Sequence, residues 1–69
     1  VGVTKNYQSA IYYYNKAAKL KDTKAIYNLG IFFENGLGVK KNYKIAAKLY
    51  LKAVKNGFTK AKVNLANLY

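Results

Sequence analysis

Two short runs of this chain pair a lysine with an asparagine four residues on, Lys24 with Asn28 and Lys60 with Asn64. Lysine supplies a charged donor, and asparagine supplies a donor and an acceptor on one side chain. Residues four apart share one face of a helix, so each pair would act as a single hydrogen-bonding station. A second cluster is purely cationic. Lys41, Lys44, Lys48, Lys52 and Lys55 follow one another at steps of 3, 4, 4 and 3, which again marks one helical face. Such a stripe could hold phosphate or carboxylate groups by charge alone. The plainer reading of both features is structural: the asparagines bond a neighbouring helix and the lysines are solvated.

Enzymatic chemistry lacks its residues. The chain has no His, Cys, Met, Pro or Trp. Without His or Cys there is no ordinary zinc, haem or iron–sulfur ligand set, and no cofactor is expected. The absence of Cys also removes any disulfide framework or thiol nucleophile. Asp22 and Glu34 are the only acids. Ser9, the one serine, lies in a helical pattern with no base beside it, and Tyr12 stands where a Ser-x-x-Lys nucleophile needs its lysine. Gly36-Leu37-Gly38 does not run on into Lys-Ser or Lys-Thr, so it is no phosphate loop.

The 13 lysines and 2 acids give a net charge of +11 over 69 residues. Yet 52% of residues are hydrophobic and 16% aromatic, too apolar for a disordered basic tail. The longest apolar run, Ala10 to Tyr14, is far below the roughly 20 residues of a membrane span. A domain near this size buries only about 60% of the surface its unfolded chain exposes, so its stability is marginal without staples. The wealth of Lys, Asn and Tyr, all with AT-rich codons, means that base composition alone could raise the charge. The absence of Arg argues against bidentate reading of phosphate or guanine.

The elements that must position these residues emerge from a repeat. Shifted by 36 residues, the chain matches itself at 15 of the 32 pairs from Gly2/Gly38 to Phe33/Tyr69, without a gap. Val3, Lys5, Asn6 and Tyr7 fall on Val39, Lys41, Asn42 and Tyr43; Tyr14, Lys16 and Ala17 fall on Tyr50, Lys52 and Ala53. Thr23-Lys24-Ala25 falls on Thr59-Lys60-Ala61, and Asn28-Leu29 on Asn64-Leu65. A period of this length marks stacked supersecondary units, each unable to bury its apolar face alone. Just under two periods are present and the first residue is Val1, so the chain is expected to be a segment of a longer array. Its unpaired outer helices favour neighbouring repeats or self-association.

Each period reads as two helices, giving four at about 6–21, 24–35, 42–56 and 60–69. Tyr7, Ala10, Ile11, Tyr14, Ala17 and Ala18 follow the helical spacing in the first, and Tyr43, Ala46, Ala47, Tyr50, Ala53 and Val54 repeat it in the third. Ala25, Leu29, Phe32 and Phe33 share one face of the second. Asn6, Thr23, Asn42 and Thr59 are the expected N-caps. Gly36 and Gly57 are the expected helix stops, where a left-handed residue is wanted. Phe58 is expected to staple onto Val63. Tyr7, Tyr14, Phe32, Phe33, Tyr43 and Tyr50 are expected to fill the gaps between helices, which Ala10, Ala17, Ala25, Gly30, Ala46, Ala53 and Ala61 allow to approach closely.

The run Ala25-Ile26-Tyr27-Asn28-Leu29-Gly30, then Phe33, Gly36, Gly38, Val39, Ala46, Tyr50, Lys52, Ala53 and Gly57, resembles the Sel-1-like repeat, a branch of the tetratricopeptide-repeat superfamily. The resemblance covers the whole chain. It departs at Lys21 and Ala66, where the family usually has Gly, at Asn6 and Asn42, where it usually has an acid, and at Leu49, where an aromatic is common. Lys21 is expected to weaken its helix end. The chain also lacks the cysteines that staple some relatives.

The resemblance implies an all-α, right-handed α/α helical-repeat solenoid of four antiparallel helices. It also implies a protein-interaction scaffold with a concave groove lined by the second and fourth helices. Their faces beside the core carry Lys24, Tyr27, Asn28 and Ile31, and Lys60, Val63, Asn64 and Asn67. Related grooves use Lys and Asn to hold a peptide backbone or terminal carboxylate, which implies a protein or peptide partner of acidic character. The alternative is nonspecific binding of an anionic polymer, nucleic acid or anionic lipid, through Lys41, Lys44, Lys48, Lys52 and Lys55.

Overall fold

The computed structural model describes residues 2–68, with side chains from Asn6 to Leu68. The expected end of the fourth helix at Tyr69 and the side chain of Lys5 lie outside the described residues. Four helices follow one another: α1 (Gly2–Lys19), α2 (Thr23–Asn35), α3 (Tyr43–Lys55) and α4 (Ala61–Leu68). Each packs on the next, and the α2–α3 interface is the most extensive. This is an all-α helical-repeat solenoid of about two repeats.

The molecule measures 34 × 27 × 15 Å. Its thinnest dimension barely exceeds the ~10–12 Å diameter of a single helix with side chains. The core therefore lies in the seams between helices rather than in a central ball. Small residues make those seams tight. Ala25, Ala46, Ala53 and Ala61 are buried together with Ile26, Leu29 and Tyr50. Tyr50 fits because Gly30 has no side chain: a Cβ there would lie 2.5 Å from the Tyr50 ring.

Three connections share one device. Lys21, Gly36 and Gly57 all take positive φ, at 64°, 68° and 97°. Each lets the chain turn back so that later N–H groups bond carbonyls in the preceding helix. Asp22 N–H reaches Ala17 O at 3.0 Å, Leu37 N–H reaches Phe32 O at 2.9 Å, and Phe58 N–H reaches Ala53 O at 2.9 Å. Lys21 does this with a Cβ in the left-handed region, at a steric cost that Gly57, one period later, avoids.

The helix starts correct several expectations. α1 already begins at Gly2, so Asn6 is interior to the helix and is not its N-cap. At α2 the cap is Asp22, whose extended backbone aims its carboxylate at Ala25 N–H, 3.3 Å away; Thr23 is the first helical residue. Asn42 caps α3 as expected and accepts from Ile45 N–H at 3.1 Å. Thr59 and Lys60 form a turn before α4, which starts at Ala61.

Two packing expectations also change. Phe58 does not staple onto Val63, which is 64% exposed; its ring packs on Tyr27, with centroids 4.9 Å apart. Tyr43 is 53% exposed and lies outside the core, although its counterpart Tyr7 is half-buried. Gly38 makes the difference. It sits so close to α1 that a Cβ would fall 2.6 Å from Tyr7 Cβ, whereas no described residue covers Tyr43 in that way.

Candidate functional site

Tyr27 is the hub of the face shared by α2 and α4. Its hydroxyl donates to Asn64 Oδ1 at 3.0 Å, joining residues 37 positions apart. Its ring lies 4.9 Å from the Phe58 centroid and 5.7 Å from that of Tyr50. Lys60 Nζ stands 5.9 Å from the same ring, within range of a cation–π attraction. Tyr27, Lys60 and Asn64 are thus brought together across two repeat units. The bond from Tyr27 engages the Asn64 carbonyl oxygen and leaves its amide NH2 as a donor.

The remaining residues of this face surround that hub. Asn28 is half-buried on α2, while Lys24 and Asn67 are exposed. Ile31 is half-buried and packs on the core cluster. The spacing of Lys24 with Asn28 and Lys60 with Asn64 was the signal in the sequence. It gave no sign that Tyr27 would tie into the second, because the Tyr27 counterpart one period on is Val63.

The outer face of α3 is different in kind. Lys41, Lys44, Lys48, Lys52 and Lys55 are all exposed. Lys41 Nζ lies 5.7 Å from the Tyr43 ring. Lys44 and Lys48 also border an open groove of about 310 Å³, completed by Tyr43, Ala47, Leu51 and Leu68. Their spacing marks these lysines as a stripe but carries no sign of the apolar trough beside them, because Leu68 reaches it from another helix.

Both acids serve the fold. Asp22 caps α2, and Glu34 accepts a 2.5 Å hydrogen bond from the buried hydroxyl of Tyr50. Burial pushes the Tyr50 hydroxyl well above the usual tyrosine range, and the Glu34 carboxylate adds to the shift. Ser9 borders a polar depression on α1 with Asn6, Gln8, Tyr12 and Tyr13, a set without a general base at neutral pH. Among the described residues no three His, Cys, Asp or Glu side chains come together as metal ligands. No helix among them is long and apolar enough to cross a membrane.

Comparison with known proteins agrees with this architecture. The Sel1 repeat family model matches residues 1–22 and again residues 23–58, the second span being as long as the period found in the sequence. No curated protein and no solved structure matches the chain. Sel1 repeats generally serve as protein–protein interaction modules. The two matched spans take in most of the sequence, and the chain belongs to the Sel1 repeat family.

Proposed function

We propose that the chain is a protein-interaction scaffold whose working surface is the shared face of α2 and α4. The observation that carries this reading is the Tyr27–Asn64 hydrogen bond with Lys60 beside it, which fixes polar groups of two successive repeats in one frame. Rigid presentation lowers the ordering cost of binding, so no chemistry is required of the site. Lys24 and Lys60 attract an acidic protein or peptide. Asn28 and Asn64 bond its backbone, Tyr27 and Ile31 give apolar contact, and Asn67 completes the rim. The net charge of +11 speeds encounter with such a partner.

The test is retention of protein partners from the source cell at moderate salt after nuclease treatment, comparing the parent chain with Lys24→Gln/Lys60→Gln. Loss of a defined partner by the variant, with an unchanged melting curve, supports the reading. Equal retention by both sinks it. A second reading is favoured by the exposure of Lys41, Lys44, Lys48, Lys52 and Lys55: nonspecific binding of nucleic acid or another anionic polymer. Recovery that vanishes with nuclease and falls steeply with salt would select that reading.

A further inference from the structure

We infer that the Asn56–Gly57 turn between α3 and α4 is a site of spontaneous covalent modification by water, and that the isoaspartate formed there loosens α4 from the α2–α4 face. Only Asn35 and Asn56 are followed by glycine; every other asparagine precedes Tyr, Lys or Leu. Glycine has no side chain to keep its backbone nitrogen away from the carboxamide before it.

The step is an internal acyl transfer. The Gly57 backbone nitrogen bonds to Asn56 Cγ, and its proton passes through water to Nδ2. The Cγ–Nδ2 bond breaks, ammonia leaves, and a succinimide ring remains. Water then opens the ring at either carbonyl. Opening at Cγ gives aspartate with the ordinary backbone. Opening at the main-chain carbonyl gives isoaspartate, whose backbone runs through Cγ and is one carbon longer. Nothing is oxidised or reduced, and solvent is the only co-reactant.

The fold separates the two Asn–Gly pairs. Asn35 is the last residue of α2, and its Nδ2 donates to Ile31 O at 3.0 Å. Gly36 N–H donates to Phe32 O, and Gly36 is half-buried against Lys41, whose backbone nitrogen would lie 3.4 Å from an added Cβ. Ring closure there must release the carboxamide and open a packed helix end. Asn56 lies beyond α3, exposed, with φ −89° and ψ 10°. Its carboxamide has no hydrogen-bond partner among the described residues. A Cβ added at Gly57 would meet nothing within 4 Å. The attacking nitrogen is held by Gly57 N–H to Val54 O at 2.9 Å, a bond at a helix end, where local opening costs least.

The repeat shows that this position stays open inside an array. Its counterpart one period earlier, Leu20–Lys21, is followed by α2, α3 and α4 and is still exposed, Leu20 at 84%. Lys21 makes the same left-handed turn, so the turn does not require the reactive pair.

The change reaches the α2–α4 face through Phe58. Its N–H donates to Ala53 O at 2.9 Å, and its ring packs on Tyr27 at 4.9 Å. One more backbone carbon before Gly57 puts both contacts out of register. The new carboxylate also falls at the negative end of the α3 dipole. A consequence for partner binding rests on the function proposed above; the modification and the loosening do not.

The experiment incubates the folded chain in mildly alkaline buffer and follows two tryptic peptides by mass, residues 56–60 for Asn56 and residues 25–40 for Asn35. Residues 56–60 are expected to gain the mass of an amide-to-acid change at least about tenfold faster than residues 25–40. The product is expected to accept a methyl group from protein isoaspartate methyltransferase. In denaturing urea the two peptides are expected to convert at similar rates. Amide exchange in α4 is expected to quicken several-fold in the aged chain. Aged Asn56→Gln, whose longer side chain closes a ring poorly, is expected to keep the exchange of fresh protein. Should Asn56→Gln melt early, Asn56→Leu, the residue of the earlier unit, takes its place. Equal rates at Asn35 and Asn56 in the folded chain would overturn the inference, as would an unconverted Asn56 after the urea sample has converted. Unchanged α4 exchange in a chain whose Asn56 has become isoaspartate would overturn its effect on the face.

Discussion

Tyr50 gives its phenolic hydrogen to Glu34 Oε1 at 2.5 Å, across the seam between α3 and α2. The ring is fully buried, so the hydroxyl cannot turn to water instead. Tyr50→Phe leaves the Glu34 carboxylate without that donor and is expected to cost about 2 kcal/mol, read from thermal or denaturant unfolding at neutral pH.

The same pair sets a pH dependence. Burial and then Glu34 raise the Tyr50 hydroxyl above its unfolded value of about 10. A group raised in the folded state contributes fully below its unfolded pKa, and the contribution is lost as pH climbs beyond it. Stability of the parent chain is therefore expected to fall more steeply than that of Tyr50→Phe as pH rises beyond about 10. Parallel declines in paired melting series would contradict this.

Gly30 and Ala66 occupy the same place in successive units and are expected to lose stability for different reasons when exchanged. Gly30→Ala drives a methyl to within 2.5 Å of the ring of Tyr50, which is fully buried. A loss of about 2 kcal/mol is expected. Ala66 is exposed, with no described ring against it, so Ala66→Gly costs only the helix-propensity difference of about 1 kcal/mol. Urea midpoints of the two variants compare the effects directly.

The caps give a three-way comparison. Asn42→Ala and Asp22→Ala each remove a side chain that accepts from a helix-start N–H and are expected to cost about 1 kcal/mol apiece. Asn6→Ala lies inside α1 and is expected to leave stability unchanged or slightly raised. Equal losses at Asn6 and Asn42 would mean that α1 starts where the repeat places it, at Asn6.

Lys21→Gly is expected to stabilise. Lys21 holds φ at 64°, a region open to glycine and costly for a residue with a Cβ. A gain of about 1 kcal/mol corresponds to a rise of about 4–8 °C in Tm for a domain of this size. A lower Tm would show that the lysine side chain contributes more than its backbone costs.

Much of the fold was legible because helical periodicity and repeat spacing are local signals. The Asn42 cap and the Gly36 stop could be read from residue type and place, as could Gly30 as a small residue of a close helix approach; that Tyr50 fills the space at Gly30 could not. The misreadings share a cause: they depend on what lies opposite. Asp22 and Thr23 are both capping residues, and the choice between them rests on the left-handed turn at Lys21, which leaves Asp22 extended. Asn6 and Asn42 match in type, but two positive-φ glycines break the chain before Asn42, while Gly2 is itself helical in α1. Tyr7 and Tyr43 match as well, and a turn from elsewhere in the chain covers just one of them. At the candidate site, the lysine–asparagine spacing was visible. The Tyr27–Asn64 bond was not, since it joins a residue to the neighbour of its own repeat equivalent.

The left-handed lysine also bears on the order in which the molecule opens. α1 packs chiefly on α2, with Tyr7 and Tyr14 only half-buried against Phe32, at 5.9 and 5.6 Å. The connection that holds it there already carries backbone strain at Lys21. The α2–α3–α4 seam instead closes over a fully buried tyrosine. Amide hydrogens of α1 are therefore expected to exchange first and together, as one foldon, while those around Tyr50 wait for global unfolding.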